Sequence, residues 1–400
     1  MNSRVKFFVV FASTSLAALL LLGAVLGKSA SPDGPYRHLA VYTEVLSRIK
    51  SEYVEEPDMK SVTLGALNGM LESIDPFASY LNAEQYKEYL KKKDTLKGDV
   101  GMLLSKRSGY IGVVSALPGS AAAQAGISAG DFLETIKTIS TRDMPLAYAE
   151  LLLRGEVGTT VDISIFKARR PDPQKVTLTR GAITYPAVAS QMMADQIGYI
   201  RPMTLVSGKV KEVAAAVTSL QSQGAKRLVL DLRHVAAGTP EAGAELANLF
   251  MDKGLITYIQ GQRTTRQNFE ADSSKAITKL PLQILTNRGT AGPAEIAAGA
   301  LLDSKRAEVV GERSYGSASV RKAVTLDDGS AVILSVAKYY SPSGKAIQDT
   351  GVTPQTLLPE PESQVELDED GNPVAPDDAD SSNKAREEYL KKAIGSWKGR

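Results

Sequence analysis

Few residues in this chain of 400 could act on a substrate. There is no cysteine, which excludes thiol catalysis, disulfides and thiolate metal sites. The only histidines are His38 and His234, too few for a multi-histidine metal centre. A Ser-His-Asp triad would have to use one of them, and neither sits beside an evident partner. The stretch Leu285–Leu301, LTNRGTAGPAEIAAGAL, is punctuated like an active-site corner: an apolar strand, a Gly-rich turn, then a helix led in by Pro293 and Glu295. Such a turn lifts one side chain clear, and the helix N-terminus favours negative charge there. Yet between Gly289 and Glu295 there is no Ser, Cys or His, and the only hydroxyl is that of Thr290. Its ordinary role at this place is to cap the helix. No metal or cofactor is expected.

The elements that must hold this corner follow from periodicity. Residues 186–358 alternate short apolar strands (IGYIRP, RLVLDLRH, LITYIQ) with amphipathic segments (GKVKEVAAAVTSLQSQG, EAGAELANLFMDKG), which predicts a sheet covered by helices. Residues 96–185 change period. Strands are expected at Tyr110–Leu117, Ala129–Ile136, Thr159–Phe166 and Lys175–Gly181, with a short helix after Pro118 and another over Leu146–Gly155. Residues 37–95 repeat apolar positions at three and four and read as helices, with Asn82 as a cap. Residues 359–383 are rich in Pro, Asp, Glu and Ser and read as a disordered acidic linker before a last helix over 384–398. Phe7–Gly27 carries no charge over 21 residues behind Arg4 and Lys6. That length fits a membrane anchor with its N-terminus inside, so residues 1–30 are an anchor or, with the late site KSAS, a cleaved signal; either exports the chain to the cell envelope, on the periplasmic side of the inner membrane. The net charge of +2, without a basic stripe, argues against nucleic acid.

In that order the segments LGALNGMLESIDPFASYL, VVSALPGSAAAQAGISAGDFLETI, RLVLDLRHVAAG, VGERSYGSASV and LDDGSAVILSVAKYYSPSGKAIQDTGVTP, with the corner itself, resemble the C-terminal processing (tail-specific) protease family over roughly residues 40–358. The resemblance implies a multidomain α/β fold: an N-terminal helical segment, an inserted PDZ-like β-rich domain, and an α/β core. It implies a serine peptidase with a Ser-Lys dyad. Laid on the family's G-[ST]-A-S-[AG]-[SA]-E, Gly289, Thr290, Ala291 and Glu295 match, but the serine falls on Gly292. Laid on G-E-x-[ST]-[FY]-G-K-G, Gly311, Glu312, Ser314, Tyr315 and Gly316 match, but the lysine falls on Ser317. The supporting Gln falls on Arg321, and the oxyanion loop N-P-G-G reads Val235-Ala236-Ala237-Gly238. A chain so altered is expected to be a pseudoenzyme, without Ser-Lys proteolysis, that binds the C-terminal tails of exported proteins or an active protease partner. Val100, Gly101, Met102 and Leu103 of the carboxylate loop, with Leu146, Ala149 and Leu153 of the following helix, are the expected peptide groove, with Asp99 adding negative charge. Two alternatives stay open: an active peptidase with a relocated pair, Thr290 with Lys322 or Ser317 with Lys322, near which Ser319 and Arg313 also lie in sequence, or a structural oligomerisation module, since the N-terminal helices resemble the segment by which relatives associate.

Overall fold

The computed structural model describes residues 35–93, 95–167, 172–360 and 379–397. The expected anchor and most of the expected acidic linker lie outside them. The chain divides into Met1–Ala66 and Leu67–Arg400. In the first unit, helix α1 (Pro35–Glu52) leaves Leu39, Tyr42 and Val45 exposed, and α2 (Met59–Glu72) begins.

Among the described residues, the second unit holds three sheets. The one that matters for the corner has the order β17-β14-β13-β10-β9-β8, where β8 is Ala189–Met193, β9 Ile197–Arg201, β10 Arg227–Asp231, β13 Leu282–Thr286, β14 Ala307–Gly311 and β17 Thr356–Leu357. All neighbours are parallel except β8 and β9. β13 is buried along its whole length, and β10 from Leu228 to Asp231, because helices cover both faces. On one face lie α6 (Lys209–Ser222), α7 (Pro240–Asn248) and α8 (Pro293–Asp303). On the other, Tyr389, Leu390 and Ala393 of α9 (Ala379–Gly395) pack on Tyr199, Val229 and Leu285. Helix α8 is apolar apart from Glu295 and Asp303 and is buried from Pro293 to Leu301.

The β-rich module over 96–185 is an antiparallel sheet of order β2-β3-β4-β6-β7, with β5 (Ile139–Ser140) beside β4. Its strands are β2 (Met102–Arg107), β3 (Tyr110–Ala116), β4 (Phe132–Ile136), β6 (Thr160–Phe166) and β7 (Gln174–Thr179). Helices α4 (Ala121–Gln124) and α5 (Leu146–Leu153) complete it. A third sheet, β1-β16-β11-β12 with β15 alongside β16, is built from β1 (Ser79–Leu81), β11 (Leu255–Gln260), β12 (Gln267–Glu270), β15 (Ser319–Thr325) and β16 (Ala331–Tyr340).

Two boundaries differ from expectation. The helical region 37–95 holds α3 (Ala83–Lys92), capped by Asn82, but also contributes β1, which pairs with β16 through Tyr80 and Val332. Helix α9 starts at Ala379, inside the segment expected to be linker. Tyr389 and Leu390 bury an apolar face against the sheet, and that docking outweighs the polar composition of the helix start.

Candidate active site

The corner follows β13, and three loops converge on Gly292. Its backbone sits at φ 57, ψ −117, a region that side chains enter only under strain. A Cβ there would lie 3.5 Å from the carbonyl oxygens of Ala236, in the loop after β10, and Ser317, in the loop after β14. Those are ordinary contacts, so the corner has room for a side chain and carries none.

Three latches hold the loops together. Ala291 N–H donates to the Val235 carbonyl at 2.9 Å, fixing the corner to the Val235–Gly238 loop. Gly238 in turn lies at φ 141, bridged to Leu205, and its Cβ would fall 2.4 Å from the Leu205 carbonyl oxygen; only glycine fits. Tyr315 N–H donates to the Thr290 carbonyl at 2.9 Å, joining the corner to the loop after β14. The third latch is Glu295. Its buried carboxyl accepts from Gly292 N–H (2.9 Å), Ser317 N–H (2.8 Å), Gly316 N–H and the Ser314 hydroxyl. Burial raises this carboxyl to about 7 although all four donors pull the other way.

Behind the corner lies a charged network. Asp231, at the end of β10, is fully buried and pairs with Arg233 Nη2 at 2.7 Å. Burial works to raise its carboxyl, but the Arg233 guanidinium, with Tyr199 Oη donating at 2.7 Å, brings it down to about 2. Arg233 also reaches Glu360 at 2.7 Å. Glu360 accepts from Asn287 Nδ2 at 2.7 Å and lies 3.2 Å from His234 Nε2. Burial works against this carboxylate too, yet these partners hold it at about 2. Asn287 closes the circle, its side-chain oxygen accepting from His234 N–H and Gly289 N–H. His234 thus has partners that sequence did not reveal. The Asp231-x-Arg233 pair at a strand end was the available signal; Glu360 lies 127 residues from Arg233 and had none.

Thr290 is turned inward. It is completely buried, its hydroxyl donating to the Leu232 carbonyl (2.8 Å) and accepting from Asn287 N–H (3.0 Å). The expected helix cap is a correction: Gly292 holds the N-cap position, and Thr290 ties the end of β13 to the end of β10. Ser317 is half-buried, with its N–H on Glu295. Ser319 pairs with Ser335 at 2.8 Å. Lys322 is exposed on β15 opposite Leu334, and Arg321 stands over the Phe77 ring at 5.4 Å. Among the described residues no hydrogen bond joins Lys322 to Thr290 or to Ser317.

The residues of the expected peptide groove are mostly buried. Val100, Gly101, Leu146, Ala149 and Leu153 are buried, the four apolar side chains in the core of the β-rich module, and Met102 and Leu103 are half-buried. The chain itself fills the polar positions. Gly101 N–H donates to Asp99 Oδ1 at 2.8 Å, and Arg154 holds the other oxygen at 3.2 Å. Lys106 N–H on the β2 edge donates to the Pro76 carbonyl (2.8 Å), and Ala147 N–H in the first turn of α5 donates to Ser79 Oγ (3.0 Å). Phe77 is buried in the same core, edge-on to Tyr315 with ring centroids 6.1 Å apart.

Residues 196–358 match Peptidase family S41. A carboxy-terminal-processing protease of Bartonella bacilliformis is 32% identical over 90% of this chain and 84% of its own length. The carboxy-terminal processing protease CtpA of Bacillus subtilis is 31% identical over 87% and 76%. Among solved structures, a photosystem II D1 C-terminal processing protease superposes with a TM-score of 0.65 at 28% identity, covering 80% of this chain and 92% of that one. At these identities and over these lengths, the chain belongs to peptidase family S41, among the carboxy-terminal-processing proteases.

Proposed function

We propose that this member of the family has lost Ser-Lys proteolysis and acts by holding polypeptide tails at the envelope, anchored through residues 7–27. One observation carries the reading. The corner keeps the strained geometry that presents a nucleophile, but Gly292 stands at its apex, and the loop after β14 brings the backbone carbonyl of Ser317 against it, with no lysine at position 317. Without a nucleophile no acyl-enzyme forms, and a serine in place of the lysine is no base at neutral pH. Loss of such a nucleophile removes about a millionfold in kcat where the series has been measured. A relocated pair finds little support. The Thr290 hydroxyl is buried and engaged at both its donor and acceptor, and Lys322 is an exposed strand residue.

The test is turnover of unstructured substrates with apolar C-termini. No cleavage is expected above a no-enzyme control. Cleavage that disappears in Thr290→Ala or Lys322→Ala would overturn the reading. Gly292→Ser combined with Ser317→Lys asks whether the cleft is still shaped for a substrate, and cleavage by that pair alone is the expected gain. For the anchor, the chain should fractionate with the membrane and release on deletion of residues 7–27; recovery of the intact chain in the soluble envelope fraction would refute it.

A further inference from the structure

His234 opens the loop that runs to Gly238, and it does so at φ 61, a left-handed backbone that histidine enters more readily than most residues but that still has to be held. Asn287 holds it. The Asn287 side-chain oxygen is fixed by two backbone donors, His234 N–H at 3.0 Å and Gly289 N–H at 3.1 Å. The amide nitrogen is therefore the atom that lies 2.8 Å from His234 Nε2 and 2.7 Å from Glu360 Oε2. An amide nitrogen only donates, so the neutral ring presents a lone pair at Nε2 and carries its proton on Nδ1.

This arrangement suits one charge state of the ring and opposes the other. In the neutral ring the Nε2 lone pair also faces Glu360 Oε2, 3.2 Å away, and the Asn287 amide keeps these two acceptors together. In the protonated ring Nε2–H and the Asn287 N–H meet donor against donor, while Glu360 becomes a partner of opposite charge. Burial works to raise the Glu360 carboxyl, but its partners hold it at about 2, so it is ionised wherever an imidazole changes charge. The ring is 45% exposed and exchanges protons with solvent. The other ionisable groups on the surrounding elements are engaged. Arg233 is shared between Asp231 and Glu360, and Arg288 of the corner lies 3.8 Å from Glu312. Tyr389 of α9, beneath Arg233, has its hydroxyl pushed up by burial and donates to the Leu358 carbonyl at 3.0 Å.

Glu360 ends a short strap. Residues 358–360 leave the two-residue edge strand β17, where Leu358 N–H donates to the Gly311 carbonyl at 2.9 Å. Pro359 lines the same cleft as Arg288 and Ser314, so the grip on Glu360 bears on the mouth of the corner. A segment on so short an edge strand opens at low cost, and one more contact changes how often it does.

We propose that His234 is a proton-operated latch: neutral, it rests on Asn287; protonated, it turns to Glu360 and tightens the strap of residues 358–360 over the corner. The latch depends neither on cleavage nor on tail binding.

The test uses the full chain labelled with isotopic histidine. With two histidines in the sequence, His234→Asn assigns the ring signals, and asparagine also tolerates the left-handed backbone. The nitrogen shifts of the neutral ring should place its proton on Nδ1. Amide hydrogen exchange at residues 358–360, corrected for its intrinsic pH dependence, should slow about two- to fivefold as the ring protonates, the order expected of one partly exposed ion pair. That change should vanish in His234→Asn and in Glu360→Gln, which keeps an oxygen for Arg233 and serves alone if the first variant does not fold. A neutral ring protonated on Nε2 would overturn the latch. So would exchange at 358–360 that ignores pH in the parent, or that follows pH equally in Glu360→Gln.

Discussion

Gly292→Ala tests the geometry on which the functional reading depends. The backbone at φ 57, ψ −117 costs a residue with a side chain about 1–3 kcal/mol. No steric cost is added, since the new Cβ meets two carbonyl oxygens at 3.5 Å. Alanine also narrows the unfolded ensemble, which returns about 0.4–1 kcal/mol. The difference of those ranges runs from about 0 to 2.6 kcal/mol, and the net expectation is a destabilisation near its middle, about 1 kcal/mol. Urea unfolding at constant slope measures it as a lowered midpoint. Two controls bracket the result. Gly69→Ala, in α2 with nothing within 4 Å of its Cβ, should stabilise, since alanine is the better helix former by about 0.8–1 kcal/mol. Gly238→Ala, whose Cβ would fall 2.4 Å from a backbone oxygen, should cost more than Gly292→Ala. A Gly292→Ala chain as stable as the parent would refute the strained corner. One as damaged as Gly238→Ala would refute the room for a side chain, and with it the premise that a serine could be reinstalled.

The buried polar groups give three further expectations. Glu295 is raised from 4.5 to about 7, so the folded state holds its proton more tightly; that stability is full below about 4.5 and is lost as pH rises through about 7. At about 1.36 kcal/mol per unit the loss is about 3 kcal/mol, and Glu295→Gln should flatten that limb of a pH–stability curve; an unchanged slope would show that another group titrates there. Asp231 and Glu360 are held at about 2, so they act in the opposite sense, contributing stability above about 4.5 that disappears as pH falls toward 2. Asp231→Asn leaves Arg233 buried with half its partners and should cost about 3–5 kcal/mol in chemical unfolding; a cost below about 1 kcal/mol would mean the pair is solvated. Thr290→Val removes a hydroxyl engaged on both sides and should destabilise by about 1–3 kcal/mol; a neutral result would remove Thr290 as a latch.

The parallel sheet was legible because its strands are short apolar runs separated by amphipathic helices, a pattern that burial on both faces imposes. The corner was legible from a turn and a Pro-led helix. The antiparallel sheet of β15 and β16 was not, although the residues were recognised by resemblance. β15 alternates poorly, with Arg321 and Lys322 adjacent and exposed, so period two barely shows. The carboxylate loop and α5 were hard to read for a different reason. Small apolar residues look the same in a groove and in a core, and the answer depended on Pro76 and Ser79 arriving from outside the module. Glu360 carries no periodicity at all. Its role depends on the fold bringing it back beside Asn287.

If the chemistry is lost as proposed, the corner can outlive it because different atoms hold its shape and would perform its reaction. Asn287, Thr290 and Glu295 close their hydrogen bonds on backbone groups of β10, the corner and the loop after β14. None of those bonds involves a side chain at position 292 or 317. A serine at 292 would bring strain of about 1–3 kcal/mol, and a lysine at 317 would need a partly buried amine kept neutral. Glycine and serine remove both costs while every latch remains. Selection for a catalytic pair is therefore needed to keep it, whereas the frame is kept by folding alone. If that is right, the Gly292→Ser, Ser317→Lys chain should unfold at lower urea than the parent whether or not it cleaves. A restored pair at least as stable as the parent would show that the corner carries no stored strain.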